Sequence, residues 1–117
     1  MGRVKILDLI TIVCKAIDDR LGENISIIDM RNDSPFNDYM VICSAKNVRM
    51  ALSIVDKIEQ DANKYGYDVR AIEGDDTSNW ILIDLYTIVA HVFVGTEREV
   101  YNLENLWIDQ PRLKVNL

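Results

Sequence analysis

The side chains best equipped for chemistry lie between residues 73 and 107. That stretch, EGDDTSNWILIDLYTIVAHVFVGTEREVYNLENLW, holds Asp75, Asp76, Asp84 and the chain's single histidine, His91. An imidazole steadied by a carboxylate is a general base, so His91 oriented by Asp84 is one candidate arrangement. Clustered carboxylates hold divalent metals for nucleotidyl transfer, which makes Asp75, Asp76 and Asp84 a second. Both arrangements lack parts. No serine or cysteine sits in an elbow or glycine-rich setting to serve as nucleophile. Asp75 and Asp76 adjoin in a loop instead of alternating along a strand, and there is no glycine-rich phosphate loop. A solvated acidic loop and a structural or contact histidine on a strand demand less. Cys14 and Cys43 lie far apart in apolar segments without CxxC spacing. A zinc site needs about four such ligands, so both read as small core residues, and neither metal nor cofactor is expected.

The elements that position these residues follow from apolar periodicity. Over 4–20, Ile6, Ile10, Val13 and Ile17 form one stripe with Leu9 and Leu21 beside it, while Asp8, Lys15, Asp18 and Asp19 fall elsewhere. This predicts an amphipathic helix stopping at Gly22. The isoleucine-rich run 25–31, bounded by Gly22 and by Asn32-Asp33-Ser34-Pro35, predicts a strand and turn. The run 38–44 is apolar on both faces from Met40 to Cys43, as suits an inner strand covered on each side. Asn47 caps a second helix with Ala51, Val55, Ile58, Ala62 and Tyr65 on its stripe, closed by Gly66. A strand at 67–73, a polar loop at 74–79 and two strands at 80–85 and 88–94 come next, the last two as a hairpin. Thr96 caps a last helix to Trp107, with Glu97 and Glu99 where the helix dipole favours acid. Pro111 ends regular structure, which divides the chain into a single domain over 1–110 and a short tail over 111–117.

This order predicts an α/β fold with a mixed sheet of about five strands flanked by helices. The crossover between Cys43 and Val69 predicts parallel pairing, whereas the hairpin is antiparallel. A two-residue hairpin turn at Leu85-Tyr86 sets Asp84 opposite Thr87, Leu82 opposite Val89 and Trp80 opposite His91. One face then carries Trp80, Leu82, Asp84, Val89, His91 and Phe93. The other carries Ile81, Ile83, Leu85, Ile88, Val92 and Val94, which are purely aliphatic and must be core. In the last helix Val100, Leu103 and Trp107 form the core-facing stripe. Arg98, Tyr101 and Glu104 are then the exposed contacts, and aromatics and arginines are enriched at interface centres. On residues alone, an interaction module is favoured over an enzyme.

The 117 residues suffice for one domain, and 49% hydrophobic and 27% charged side chains lie in the globular range. A net charge of -6 argues against a nucleic-acid surface and suits a basic protein partner. The N-terminal segment lacks a signal peptide's continuous apolar run, and no window approaches the roughly 18 apolar residues of a membrane span. A cytosolic location without membrane contact is expected.

The same stretch resembles the ribosomal silencing factor family, also called Iojap. The matching segments are Asp38-Tyr39-Met40-Val41-Ile42, Glu73-Gly74, Trp80-Ile81-Leu82-Ile83-Asp84, His91-Val92-Phe93, Arg98-Glu99, Tyr101-Asn102-Leu103-Glu104 and Leu106-Trp107. Each is weak alone; their order and spacing over roughly residues 5–108 are specific. The resemblance implies a nucleotidyltransferase-like fold without that superfamily's catalytic machinery. It implies binding to protein fourteen of the large ribosomal subunit, steric exclusion of the small subunit and repression of translation when nutrients are short. It also implies a homodimer when free. Residues carried over to the docking surface are Tyr39, Trp80, Asp84, His91, Arg98, Glu99, Tyr101 and Glu104. The chain departs from the family pattern at Ala45-Lys46, where a glycine is usual, at Tyr86-Thr87, where Gly-Asp is usual, and at Val100, commonly tyrosine. The alternative is a small nucleotide-binding enzyme of nucleotidyltransferase type using Asp75, Asp76, Asp84 and His91.

Overall fold

A six-stranded sheet in the order β3-β4-β5-β2-β1-β6 organises the molecule. The computed structural model describes residues 6–115, with side chains from Leu9 onward. The predicted helix start at residue 4 and the Ile6 and Asp8 side chains fall outside these limits. In chain order the elements are α1 (Ile6–Asp19), β1 (Glu23–Asp29), β2 (Tyr39–Ala45), α2 (Val48–Lys64), β3 (Ala71–Glu73), β4 (Trp80–Asp84), β5 (Ile88–Val94), α3 (Glu97–Tyr101), α4 (Leu103–Leu106) and β6 (Arg112–Leu113).

Helix α1 buries Leu9, Ile10, Val13, Cys14 and Ile17. Its end is a Schellman motif: Gly22 N–H donates to the Ile17 carbonyl at 2.8 Å and Leu21 N–H to that of Asp18 at 3.0 Å. Leu21, not Gly22, takes the left-handed position, at φ 64. Gly22 is required for another reason, because a Cβ there would stand 2.3 Å from Ile17 Cγ2. Helix α2 starts where Asn47 accepts from Met50 N–H at 2.8 Å. It closes with Gly66 at φ 88 and Tyr67 N–H donating to the Ala62 carbonyl at 2.9 Å. Ile54 joins Ala51, Val55, Ile58 and Ala62 in its buried stripe, while Tyr65 is exposed.

Both long helices pack on one side of the sheet. Between the two layers lies the main core, with Ile27, Val41, Cys43, Ile81, Ile83, Ile88, Ala90 and Val92 from the strands. Strands β2 and β5 pair in parallel at the centre of the sheet, and all other pairs are antiparallel. Burial on both faces of β2 explains its unbroken apolar run. The crossover through α2 has the predicted sense but not the predicted neighbour. It carries the chain past two positions to edge strand β3, and the β4–β5 hairpin fills the gap. The mixed α/β architecture is as expected, with six strands where about five were predicted. The sixth arises because Arg112–Leu113 pairs with β1, so Pro111 does not end regular structure.

The hairpin register differs by two residues from expectation. Asp84 pairs with Val89, Leu82 with His91 and Trp80 with Phe93. The turn is Tyr86-Thr87, closed by Leu85 N–H donating to the Ile88 carbonyl at 2.8 Å. Tyr86 adopts φ 70, and its N–H donates to Asp84 Oδ1 at 2.9 Å. Asn37 Nδ2 donates to its carbonyl at 2.8 Å, and the Arg70 guanidinium lies 5.4 Å from its ring centroid. These contacts hold a tyrosine where a glycine would be unstrained. A two-residue slip preserves the face of every side chain, so the predicted division into an aliphatic and a mixed face stands.

Candidate functional site

The face away from α1 and α2 is the site. Alternation places Trp80, Leu82 and Asp84 of β4, Val89, His91 and Phe93 of β5, and Met40, Ile42 and Ser44 of β2 on it. At one end a smaller cluster of Ile28, Met30, Ile42 and Phe93 is covered by Leu103 and Trp107 from the α4 region. Towards the other end the face is open.

Four rings form its centre. Trp80 stacks on Phe93 at 5.1 Å between centroids, lies 4.4 Å from Tyr101 and 5.8 Å from His91. Trp80 Nε1–H donates to His91 Nδ1 at 3.0 Å. An indole can only donate, so the accepting nitrogen is unprotonated and a neutral imidazole carries its hydrogen on Nε2. Burial pushes the His91 pKa down to about 4, which makes that neutral form the one present at pH 7.

Beside the rings, Arg98 acts as an internal brace. Its Nε donates to Glu104 Oε1 at 2.8 Å and its Nη1 to Ser44 Oγ at 2.9 Å, tying α3 to α4 and to β2. The arginine holds the Glu104 carboxyl below the usual carboxylate range. Arg112 of β6 donates to the Glu104, Trp107 and Gln110 carbonyls at 2.7, 3.0 and 2.8 Å, closing the C-terminal end of α4.

The predicted single helix over 96–107 is instead two short ones. Asn102 at φ 48, ψ 51 breaks it, and asparagine is one of the few residues that adopts this conformation readily. The break rotates the faces. Val100, expected in the core, is exposed, whereas Tyr101 turns its ring onto Trp80 and Phe93 while remaining half-exposed.

The eight candidate contact residues therefore separate. Trp80, His91 and Tyr101 meet in one cluster, with Arg98 and Glu104 paired next to it. Asp84 lies on the same face at the turn, bonded to Arg70 Nε at 3.0 Å and to Tyr86 N–H. Glu99 is exposed on α3. Tyr39 is buried in the helix-side core, with the Arg31 guanidinium 5.4 Å from its ring centroid, so its ring does not join the open face. Met40 and Val89, half-buried on that face, escaped the list of candidates. The hairpin alternation already sets Val89 on this face, whereas β2, apolar on both sides, gives no sign that Met40 looks outward.

The catalytic arrangements considered from sequence are not assembled. Asp84 bonds to Arg70 and Tyr86 while His91 bonds to Trp80, so no carboxylate–imidazole pair forms. Asp75 is committed to its own loop. It accepts from Thr77 N–H at 2.9 Å and Thr77 Oγ1–H at 2.6 Å, and these bonds keep its carboxyl below the usual range. Among the described residues no group of three or more His, Cys, Asp or Glu is placed to hold a metal ion. Cys14 and Cys43 are buried free thiols, raised to about 11 and about 12 by burial. No described helix is long and apolar enough to cross a membrane.

Fold and site together define a small α/β domain whose distinctive surface is an aromatic sheet face with a neutral imidazole. Residues 4–117 match the profile described as "Ribosomal silencing factor during starvation", and the chain belongs to that family. It is similar to ribosomal silencing factor RsfS of Bacillus subtilis, with 38% identity over 88% of this chain and 87% of the relative. Among solved structures it resembles a Bacillus halodurans protein at TM-score 0.82 and 30% identity, covering 93% of this chain and 99% of that one. A Chromobacterium violaceum protein shares the fold at TM-score 0.86 and 22% identity, covering 97% of this chain and 95% of the other.

Proposed function

We propose that this protein silences ribosomes by docking its open aromatic face on the large subunit, through protein fourteen of that subunit. Bound there, it excludes the small subunit sterically and represses translation under nutrient limitation, in the cytosol and without catalysis. The observation that carries this reading is the aromatic cluster on the sheet face that neither long helix covers, in which part-exposed Trp80 and Tyr101 are seated on the buried rings of His91 and Phe93. Rigid aromatics offer large contact area at small entropic loss, which is why they dominate interface hot spots. The net charge of -6 steers the molecule towards basic ribosomal proteins. The exposed Val100, Leu106 and Ile108 would supply the surface on which two free copies pair.

The test is co-sedimentation of the purified protein with isolated large subunits, followed by light scattering as small subunits are added. Binding and suppressed joining are expected; no co-sedimentation, or undiminished joining at saturating protein, refutes the proposal. Calorimetric titration with nucleotide and magnesium should give no heat of binding, and a saturable signal would favour the nucleotide-binding alternative.

A further inference from the structure

Next to the aromatic cluster, a cavity of about 190 Å³ opens between the β1–β2 loop, β2 and β5, lined by Met30, Ser34, Asn37, Tyr39, Met40, Val89 and His91. His91 is 7% exposed, and among the described residues its ring has one hydrogen bond, the one from Trp80. Every described side-chain nitrogen or oxygen that is fully buried has a partner. The second ring nitrogen, which has none, must therefore touch open space, and the cavity is the space His91 lines. It presents an N–H donor at the floor of a pocket with Met30, Met40 and Val89 as apolar walls. At the rim, Ser34 Oγ accepts from Phe36 N–H at 3.2 Å and from Asn37 N–H at 3.3 Å, leaving its hydroxyl hydrogen free to donate.

We propose that this cavity is a specificity pocket for one uncharged side chain of the ribosomal partner, with an aliphatic stem and a terminal amide or hydroxyl oxygen that accepts from His91 Nε2–H. The inference rests on the docking role proposed for this face. Size limits the occupant: a cavity of about 150 Å³ accommodates a benzene ring, so this one takes a single side chain and not a peptide segment. Chemistry narrows it further. A cation cannot accept from an imidazole N–H. An anion would find no positive side chain among the seven lining residues, and desolvating an unpaired ion costs several kcal/mol. A purely aliphatic group would leave the Nε2–H donor buried and unsatisfied.

The test uses the full chain, isolated large subunits and double-mutant cycles read by co-sedimentation. Val89→Phe and Met40→Phe each plug the cavity from a half-exposed wall on a different strand, so one failing to fold leaves the other. Melting curves verify folding, and Ile72→Thr on the opposite face is the control. Each plug should weaken binding about tenfold or more, with the control unchanged. Replacing the inserted side chain of the partner by alanine should weaken wild-type binding but leave a plugged variant's affinity unaltered. If the wild type binds and both plugs bind equally well, the pocket is not used and this inference falls while the docking proposal survives. A coupled partner side chain that proves charged or purely aliphatic overturns the assigned chemistry. If the wild type does not bind large subunits at all, the docking proposal itself fails.

Discussion

Acidification should charge His91, and its surroundings set what that costs. Its pKa is about 4 in the folded protein against an ordinary 6.5, and burial is the cause. Below pH 6.5 the unfolded chain therefore binds more protons than the folded one, so stability falls as pH is lowered from 6.5 towards 4 and is fully present above that window. Carried to pH 4.5, the loss is about 2.5 kcal/mol, a substantial part of the 5–15 kcal/mol typical of a domain. The midpoint of thermal unfolding should drop by roughly 10 °C from this residue alone. The carboxyls of Asp29 and Glu104, held below the usual range mainly by Arg31 and Arg98, contribute stability that is lost mostly at lower pH. His91→Gln separates the two effects, because its amide oxygen can still accept from Trp80 Nε1 but cannot charge. Urea unfolding at pH 7, 6, 5 and 4.5 should show the wild type losing this stability and the variant keeping it. With one histidine in the chain, the imidazole C2 proton reports its titration directly by NMR. Equal pH slopes for the two proteins, or a folded-state titration near 6.5, would refute the reasoning.

Three further outcomes are expected. Leu21→Gly should stabilise by about 0.5–1 kcal/mol in urea unfolding, since it relieves an exposed leucine held at positive φ. Gly22→Ala should destabilise by about 1–3 kcal/mol in the same assay, because the new methyl meets the buried Ile17 side chain. Arg98→Ala should cost about 1–3 kcal/mol and increase amide exchange over Glu97–Tyr101, by removing the tie from α3 to Glu104 and Ser44.

What the sequence revealed follows from which physical signals are local. Asn47 and the Gly66 closure bracket α2 through bonds within a few residues, so both ends of that helix are legible. The purely aliphatic alternate residues of the hairpin likewise betray the core side. Less legible were features decided at a distance. Nothing within Arg112–Leu113 marks it as a strand; β1 supplies the edge on which it pairs. The crossover after β2 gives the direction of β3, but the length of α2 does not reveal how many strands it passes. Tyr39 shares a matching segment with Met40, yet adjacent residues of a strand look to opposite faces. A resemblance in sequence thus grouped two side chains that the pleat separates.

The last segment shows how one backbone angle redistributes a surface. Continuing the helix through Asn102 would bury Val100 and leave Tyr101 pointing outward, with the spacing Val100, Leu103 and Trp107 on the core. Asn102 at φ 48 ends that periodicity after one turn. The restarted helix still packs Leu103 and Trp107, both partly buried, against the cluster of Phe93 and Ile42, so the apolar closure is preserved. What changes is the ring added to the open face, because Tyr101 now lies 4.4 Å from Trp80. Arg98, which helical spacing marks as an exposed contact, is drawn inward to Glu104 and Ser44 and fixes the same break from beneath. The contact surface and the brace that shapes it come from residues three apart in one short segment, Tyr101 and Arg98. Changes at Arg98 should therefore weaken docking by loosening Tyr101, whereas changes at Trp80 or Tyr101 remove contact area itself.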